Sequence, residues 1–349
     1  MPDKIRMIAL GVGGVSRGML SALRDKSWHE LVAAVDVSDE ALARTAAENN
    51  LPRSALYTDL AAALDEVAAD VVMINTPSEL HALGAEAVLR AGLTPLVAKP
   101  MCNDFNDAVA LTRLAAEKGV KLGVAQQMRY RRHYLSVAEF VSTGALGEIE
   151  QIYFLSAKPR HQPRNLEHFA QPVLWDMSCH HLDSLYSILP QLIPQAVICD
   201  GFRPSWTVYD SDCMINGLLR FQGGARMLYH AGYSTQASCY ELRLEGALGA
   251  LRCRGIHMSN DTMAYEFAER GADFAPIDLE KGRPPSQPWS LFFDQWHDWL
   301  NGGGERHFSG SRNLKVLATI DAAIESLSRG AFVQVAGNPR YQAAFEASA

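Results

Sequence analysis

The chain has 349 residues, 48% of them hydrophobic and 20% charged, with a formal net charge of −7. That length is a prior for two domains, and the composition excludes wholesale disorder. The acidic balance argues against a general phosphate-backbone binder, and no apolar run reaches the roughly 18 residues of a membrane helix.

Taken in order, strands are predicted at 5–10, 31–36, 55–57, 71–75, 95–98 and 121–125. Helical patterns at 15–23, 39–49, 60–67, 80–91 and 104–118 lie between them, the last capped by Asn103 or Asp104 and stopped by Gly119. Such alternation builds a parallel sheet covered on both faces. After residue 125 the pattern changes. A strand at 147–157, a polar loop at 162–171 and a helix at 174–189 precede several strands between 196 and 258, separated by turn signals, which reads as a largely antiparallel sheet. Helices at 290–301 and 313–328 flank the triple glycine at 302–304. The expected class is an α/β domain over 1–125 followed by an α+β domain over 126–349. The N-terminus enters strand 5–10 without an apolar signal core, and the six cysteines form no C-x-x-C pair. The expectation is a cytoplasmic protein with reduced thiols.

Gly11, Gly13, Gly14 and Val15 follow the first strand and open the first helix. In a G-x-G-x-x-G/A fingerprint the first glycine permits a tight turn and the second lets the backbone approach a pyrophosphate. Ser16, a small residue, stands where the third glycine or alanine is expected. The helix start offers free N–H groups and a positive dipole end. Asp36 ends the second strand at the offset of a ribose-binding acid, where it would accept bonds from ribose hydroxyls and repel a 2′-phosphate. These features predict NAD, in preference to NADP.

Further motifs run along most of the chain: Ile74-Asn75-Thr76-Pro77, His81, Ala91-Gly92, Lys99-Pro100, Arg129, Asp176-Met177-Ser178-Cys179-His180 with Asp183, Glu245-Gly246-Ala247-Leu248-Gly249 and Ala323-Ile324-Glu325-Ser326. Together they resemble the glucose–fructose oxidoreductase / inositol dehydrogenase / MocA (Gfo/Idh/MocA) family. The resemblance implies a Rossmann domain, an open antiparallel sheet domain and hydride transfer with a nicotinamide cofactor, usually on sugars or inositols. It also implies cofactor contacts from Thr76, Pro77, His81, Lys99 and Pro100. Two positions depart from the family pattern: Ala98 replaces the usual Glu before Lys-Pro, and Ser178 replaces the usual Gly.

Oxidising a secondary alcohol needs a base for the hydroxyl proton and support for the developing alkoxide. Lys99 follows a strand at the carboxyl edge, where doubly wound sheets bind ligands. Asp176 and His180 are four residues apart and share one helix face, and an imidazole suits proton transfer. His181 points away and reads as structural, whereas Asp183 lies on the His180 side. No metal is expected. The cations Arg129, Arg131, Arg132 and His133, with Lys158, Arg160, His161, Arg164 and His168, stand out in an acidic chain and read as a pocket for an anionic sugar substituent. Trp175 is expected to pack on a sugar face. The reading is an NAD-dependent sugar or cyclitol dehydrogenase with catalytic Lys99, Asp176 and His180. Its rivals are a redox glycosidase that transiently oxidises C3 and a non-catalytic ligand sensor. The expected partner is a small carbohydrate, with no nucleic acid or membrane, and the chain is expected to form a homodimer or homotetramer through its C-terminal sheet.

Overall fold

In the computed structural model, which describes residues 4–163 and 166–346, the first apolar runs lie side by side. They are β1 (Ile5–Leu10), β2 (His29–Val35), β3 (Leu56–Tyr57), β4 (Val71–Ile74), β5 (Thr94–Ala98) and β6 (Gly123–Ala125), in the parallel order β3-β2-β1-β4-β5-β6. β4 is buried along its whole length, because helices cover both faces and leave no solvent side for polar alternation. Those helices are α1 (Gly14–Leu23), α2 (Asp39–Asn49), α3 (Leu60–Glu66), α4 (His81–Arg90) and α5 (Phe105–Lys118). Side chains of Ser38, Asp59 and Asp104 cap α2, α3 and α5, and Gly119 ends α5 at φ 65°. The strand order reverses between β1 and β4, so the loops after them diverge and open a crevice at the carboxyl edge.

The following segment forms α6 (Arg132–Ser142), β7 (Ile149–Ala157), a π-helical turn (Val173–Ser178) and α7 (Cys179–Ile188). β8 (Pro194–Phe202), β9 (Met214–Phe221), β10 (Arg226–Gly232), β11 (Cys239–Gly246), β12 (Gly249–Gly255), β13 (Met263–Glu269) and β14 (Ala275–Ile277) come next. After α8 (Pro288–Leu300) and α9 (Gly310–Arg329), β15 (Val333–Gln334) and α10 (Ala343–Glu346) close the chain. The second sheet runs β14-β13-β12-β11-β7-β10-β9-β8-β15, antiparallel except where β10 pairs with β7. One face packs on apolar residues of α7 and α9, including Leu182, Ile320 and Ala323. On the other, Leu228 is 52% exposed between the buried Met227 and Tyr229.

Several differences from expectation have physical causes. The expected helix at 174–189 begins one residue earlier and as a π turn. α6 was not among the expected elements: its Arg132 and His133 read as polar pocket residues, yet His133, Tyr134, Ser136 and Val137 are buried. The sheet continues past residue 258 through β13 and β14. The chain passes between its two units close to the expected 125/126, and a later segment not expected there returns to the first unit. The chain divides into a unit of residues up to Gln127 with Trp289–Leu314, and a unit of Met128–Pro288 with residues from Lys315 onward. Segment 289–314 joins the first unit because its aromatic side cannot stay in water. Trp28 stacks on His297 at 4.4 Å, Lys121 lies over Trp299 at 5.1 Å, and the Val124 N–H donates to the Phe308 carbonyl at 2.8 Å.

Candidate active site

In the first unit, the turn after β1 is made by Gly11 at φ 77°; a Cβ there would lie 2.7 Å from the Asn75 carbonyl carbon and the Thr76 amide nitrogen. Gly13 and Gly14 have nothing within 4 Å of a Cβ position, so Gly13, Gly14 and Val15 present open backbone at the start of α1. Asp36, one residue past β2, accepts from the Val12 N–H at 2.8 Å and the Ser38 N–H at 2.9 Å, which fixes its carboxylate beside this turn. Arg44 of α2 donates to the Val12 carbonyl at 3.2 Å, a neighbouring cation that sequence reasoning missed. Ser16, Asn75, Thr76 and Gln126 hold buried hydroxyl or amide atoms without a protein partner. Such atoms need a ligand or water. An open glycine turn, a fixed carboxylate and orphaned polar groups at the carboxyl edge fit a dinucleotide.

Lys99 follows β5 at that edge, half-buried, and its peptide bond to Pro100 is cis. Ala98 beside it is buried. His81, expected at the cofactor, is a buried strut: Nδ1 lies 2.7 Å from the Pro100 carbonyl and Nε2 lies 2.9 Å from the Thr76 carbonyl. The ring thereby ties together the loops after β4 and β5. Burial holds its pKa below the usual histidine value.

In the second unit, the π turn and α7 present a single open face. From Pro172 to Tyr186 every residue is buried except Asp176 and His180. Trp175, 6% exposed, is therefore a core residue, contrary to the expected sugar contact, because burial takes this large apolar ring out of water. Asp176 Oδ2 accepts from Arg160 Nη1 at 2.7 Å and from the Tyr233 hydroxyl at 2.5 Å. Behind the turn, Tyr229 donates to Ser178 Oγ at 2.6 Å and Ser178 donates to the Val173 carbonyl at 3.1 Å. With those protons used, His181 Nδ1–H is the donor to Tyr229 at 2.7 Å. Ser178 thus has a buried role that glycine would not supply, and His181 is structural. Tyr229 and Tyr233 follow from tertiary packing and carry no mark in the sequence.

The expected anion pocket needs correction. Arg129 and Asp183 form a buried bidentate ion pair, Nε donating to Oδ2 at 2.9 Å, so the charge of Arg129 is balanced inside the protein. Arg131 pairs with Asp261, Arg132 with Glu280 and Arg160 with Asp176. His168 pairs with Asp210 on the surface, and His161 is exposed. Arg164 lies outside the described residues. The four paired arginines are neutralised by carboxylates far apart in sequence, a pairing that local charge counting does not see.

A Rossmann sheet with this turn and an open sheet unit bearing an Asp–His face define a nicotinamide-dependent oxidoreductase. Residues 5–126 match the oxidoreductase family model with an NAD-binding Rossmann fold, and 134–252 match the GFO/IDH/MocA C-terminal domain. The chain belongs to the Gfo/Idh/MocA family and is an enzyme. It is 23% identical to the 1,5-anhydro-D-fructose reductase of Ensifer adhaerens over 93% of this chain and 97% of that protein. It is 26% identical to the D-apiose dehydrogenase of Paraburkholderia graminis over 93% and 88%. The fold matches the crystal structure of an aldose-aldose oxidoreductase from Caulobacter crescentus complexed with glycerol, with TM-score 0.83 and 22% identity over 95% and 99% of the two chains. Among the described residues, no helix is long and apolar enough to cross a membrane.

Proposed function

We propose that the protein is an NAD-dependent dehydrogenase that oxidises a secondary alcohol of a sugar, cyclitol or glycoside. The observation that carries this reading is the open Asp176–His180 face on an otherwise buried π turn and helix. The sugar reductase and dehydrogenase relatives support the substrate class. Gly13, Gly14 and Val15 would hold the pyrophosphate through backbone N–H groups, with Asp36 on the ribose hydroxyls. Thr76, Pro77 and Pro100 lie on the loops bordering that cradle. Bound NAD supplies the hydride acceptor. His180 takes the hydroxyl proton, Lys99 donates to the developing alkoxide, and Asp176 orients a substrate hydroxyl as a fixed acceptor. Exclusion of a 2′-phosphate by Asp36 makes NAD the preferred form over NADP. The chain assembles as a homodimer or homotetramer through the outward face of its second sheet, where Tyr153, Leu228 and Leu218 are cross-strand neighbours.

The test is NADH formation, followed by absorbance, across sugars, inositols, uronic acids, sugar phosphates and glycosides. Steady turnover with a polyol is expected. Aglycone release without net NADH would replace this reading by redox glycoside cleavage, and binding without turnover would replace it by a sensor.

A further inference from the structure

We infer that Arg160 and Tyr233 are positioning residues that hold Asp176 in its ionised form and fix its direction. The inference rests on the reading of Asp176 as part of the substrate site.

Both donors converge on one oxygen. Arg160 Nη1 is 2.7 Å and the Tyr233 hydroxyl 2.5 Å from Asp176 Oδ2. Two donors on one oxygen, one of them cationic, restrain the carboxylate's rotation and favour its charged form. The donors are themselves restrained. The Arg160 guanidinium lies over the Tyr233 ring at 4.6 Å, and the Arg160 N–H donates to the Tyr233 carbonyl at 2.9 Å. Tyr209 stacks on Tyr233 with centroids 5.7 Å apart and planes 24° apart. Burial, and then the charge of Asp176, keep the Tyr233 phenol well above the usual tyrosine range, so it stays a donor across the working pH range.

The groups acting on this cluster come from several elements. Tyr233 follows β10 and Tyr209 lies before β9, and both respond to the charges of Asp176 and Arg160. His257, after β12, has its pKa lowered to about 4 by burial and by the cations Lys158, Arg160 and Arg131. It therefore stays neutral at working pH and does not compete with Arg160 for the carboxylate. His180 lies one turn beyond Asp176.

Asp176 so held acts as a fixed acceptor of a substrate hydroxyl, and its protonation marks the loss of that function. Removing the cation should raise its pKa by about one to three pH units. In protein labelled with 13C at aspartate carboxyls, the Asp176 signal is assigned by its loss in Asp176→Asn. Its titration midpoint is then compared in wild type, Arg160→Met, Arg160→Lys and Tyr233→Phe. The midpoint should rise in Arg160→Met, rise less in Tyr233→Phe and return close to wild type in Arg160→Lys. The acid limb of kcat/KM for a neutral polyol should move in the same order, with KM for NAD unchanged. An unmoved midpoint in both Arg160→Met and Tyr233→Phe overturns the inference. So does a loss confined to carboxylate- or phosphate-bearing substrates, because Arg160 would then be a substrate ligand. Absence of dehydrogenase activity would overturn the proposed reaction, and the NMR comparison would still decide the role of Arg160 and Tyr233.

Discussion

Asp36 shows how a single side chain is legible and its surroundings are not. Its offset from Gly11 marks it in the sequence, whereas Arg44, which reaches the Val12 carbonyl at 3.2 Å, becomes visible only when α2 folds back on the turn. Asp36→Ser should narrow the preference for NAD over NADP, measured as the ratio of kcat/KM values. Adding Arg44→Ala should remove most of the NADP gain, since that arginine is the cation beside the same turn. Lys99→Ala and His180→Ala should each lower kcat by roughly 10²-fold or more, with NAD affinity little changed for His180→Ala. A near-wild-type kcat for His180→Ala would move the proton-transfer role to Lys99. Arg129 has a different kind of importance. Its buried pair with Asp183 means that Arg129→Met alone should cost about 3–5 kcal/mol in urea unfolding, and the double variant with Asp183→Leu should recover part of that.

At the scale of elements, the parallel sheet was readable because its strands are largely apolar runs, α2, α3 and α5 carry side-chain caps, and Gly119 stops α5. α6 was not, because the polar Arg132 and His133 at its start mask a buried face. The π turn was not, because one extra residue in a turn leaves the apolar set Val173, Leu174 and Met177 looking like that of an ordinary helix. The turn depends on a local substitution: Ser178 donates to the Val173 carbonyl and accepts from Tyr229. Ser178→Ala should destabilise the protein by about 1–3 kcal/mol, because it leaves the buried Tyr229 hydroxyl without its acceptor. Tyr229→Phe in the same chain should return part of that loss in chemical denaturation. A full cost for the double variant would show that the hydroxyl pair is not the cause.

Across the whole molecule, burial sets the acid response. His133 and His181 have pKa values lowered to about 3 by burial, against about 6.5 when unfolded. Between those values the unfolded chain binds more protons, so stability falls as pH falls, by about 1.4 kcal/mol per pH unit for each ring. The urea midpoint should therefore drop from pH 6.5 towards pH 4, and His181→Gln should flatten the slope. A midpoint independent of pH across that window would show that the rings are not neutral when folded. The outward sheet face makes a separate prediction: Leu228→Lys should reduce the sedimentation-derived mass of the assembly while leaving the circular dichroism spectrum unchanged.

The division of the first unit into two stretches of chain has a consequence for biosynthesis. Leu314 lies about 190 residues beyond Gln127. At ribosomal speeds of about 5–20 residues per second, the emerging parallel sheet waits roughly 10–40 s for the segment that covers Trp28 and pairs with β6. During that interval the strands of the second sheet are already leaving the exit tunnel. A nascent chain arrested just after residue 127 should stay protease-sensitive and recruit chaperones, and one arrested well beyond residue 314 should not. Supplying 289–314 as a separate peptide to the purified 1–127 fragment should restore protease resistance, because the missing partner of that sheet is a late-arriving part of the same polypeptide.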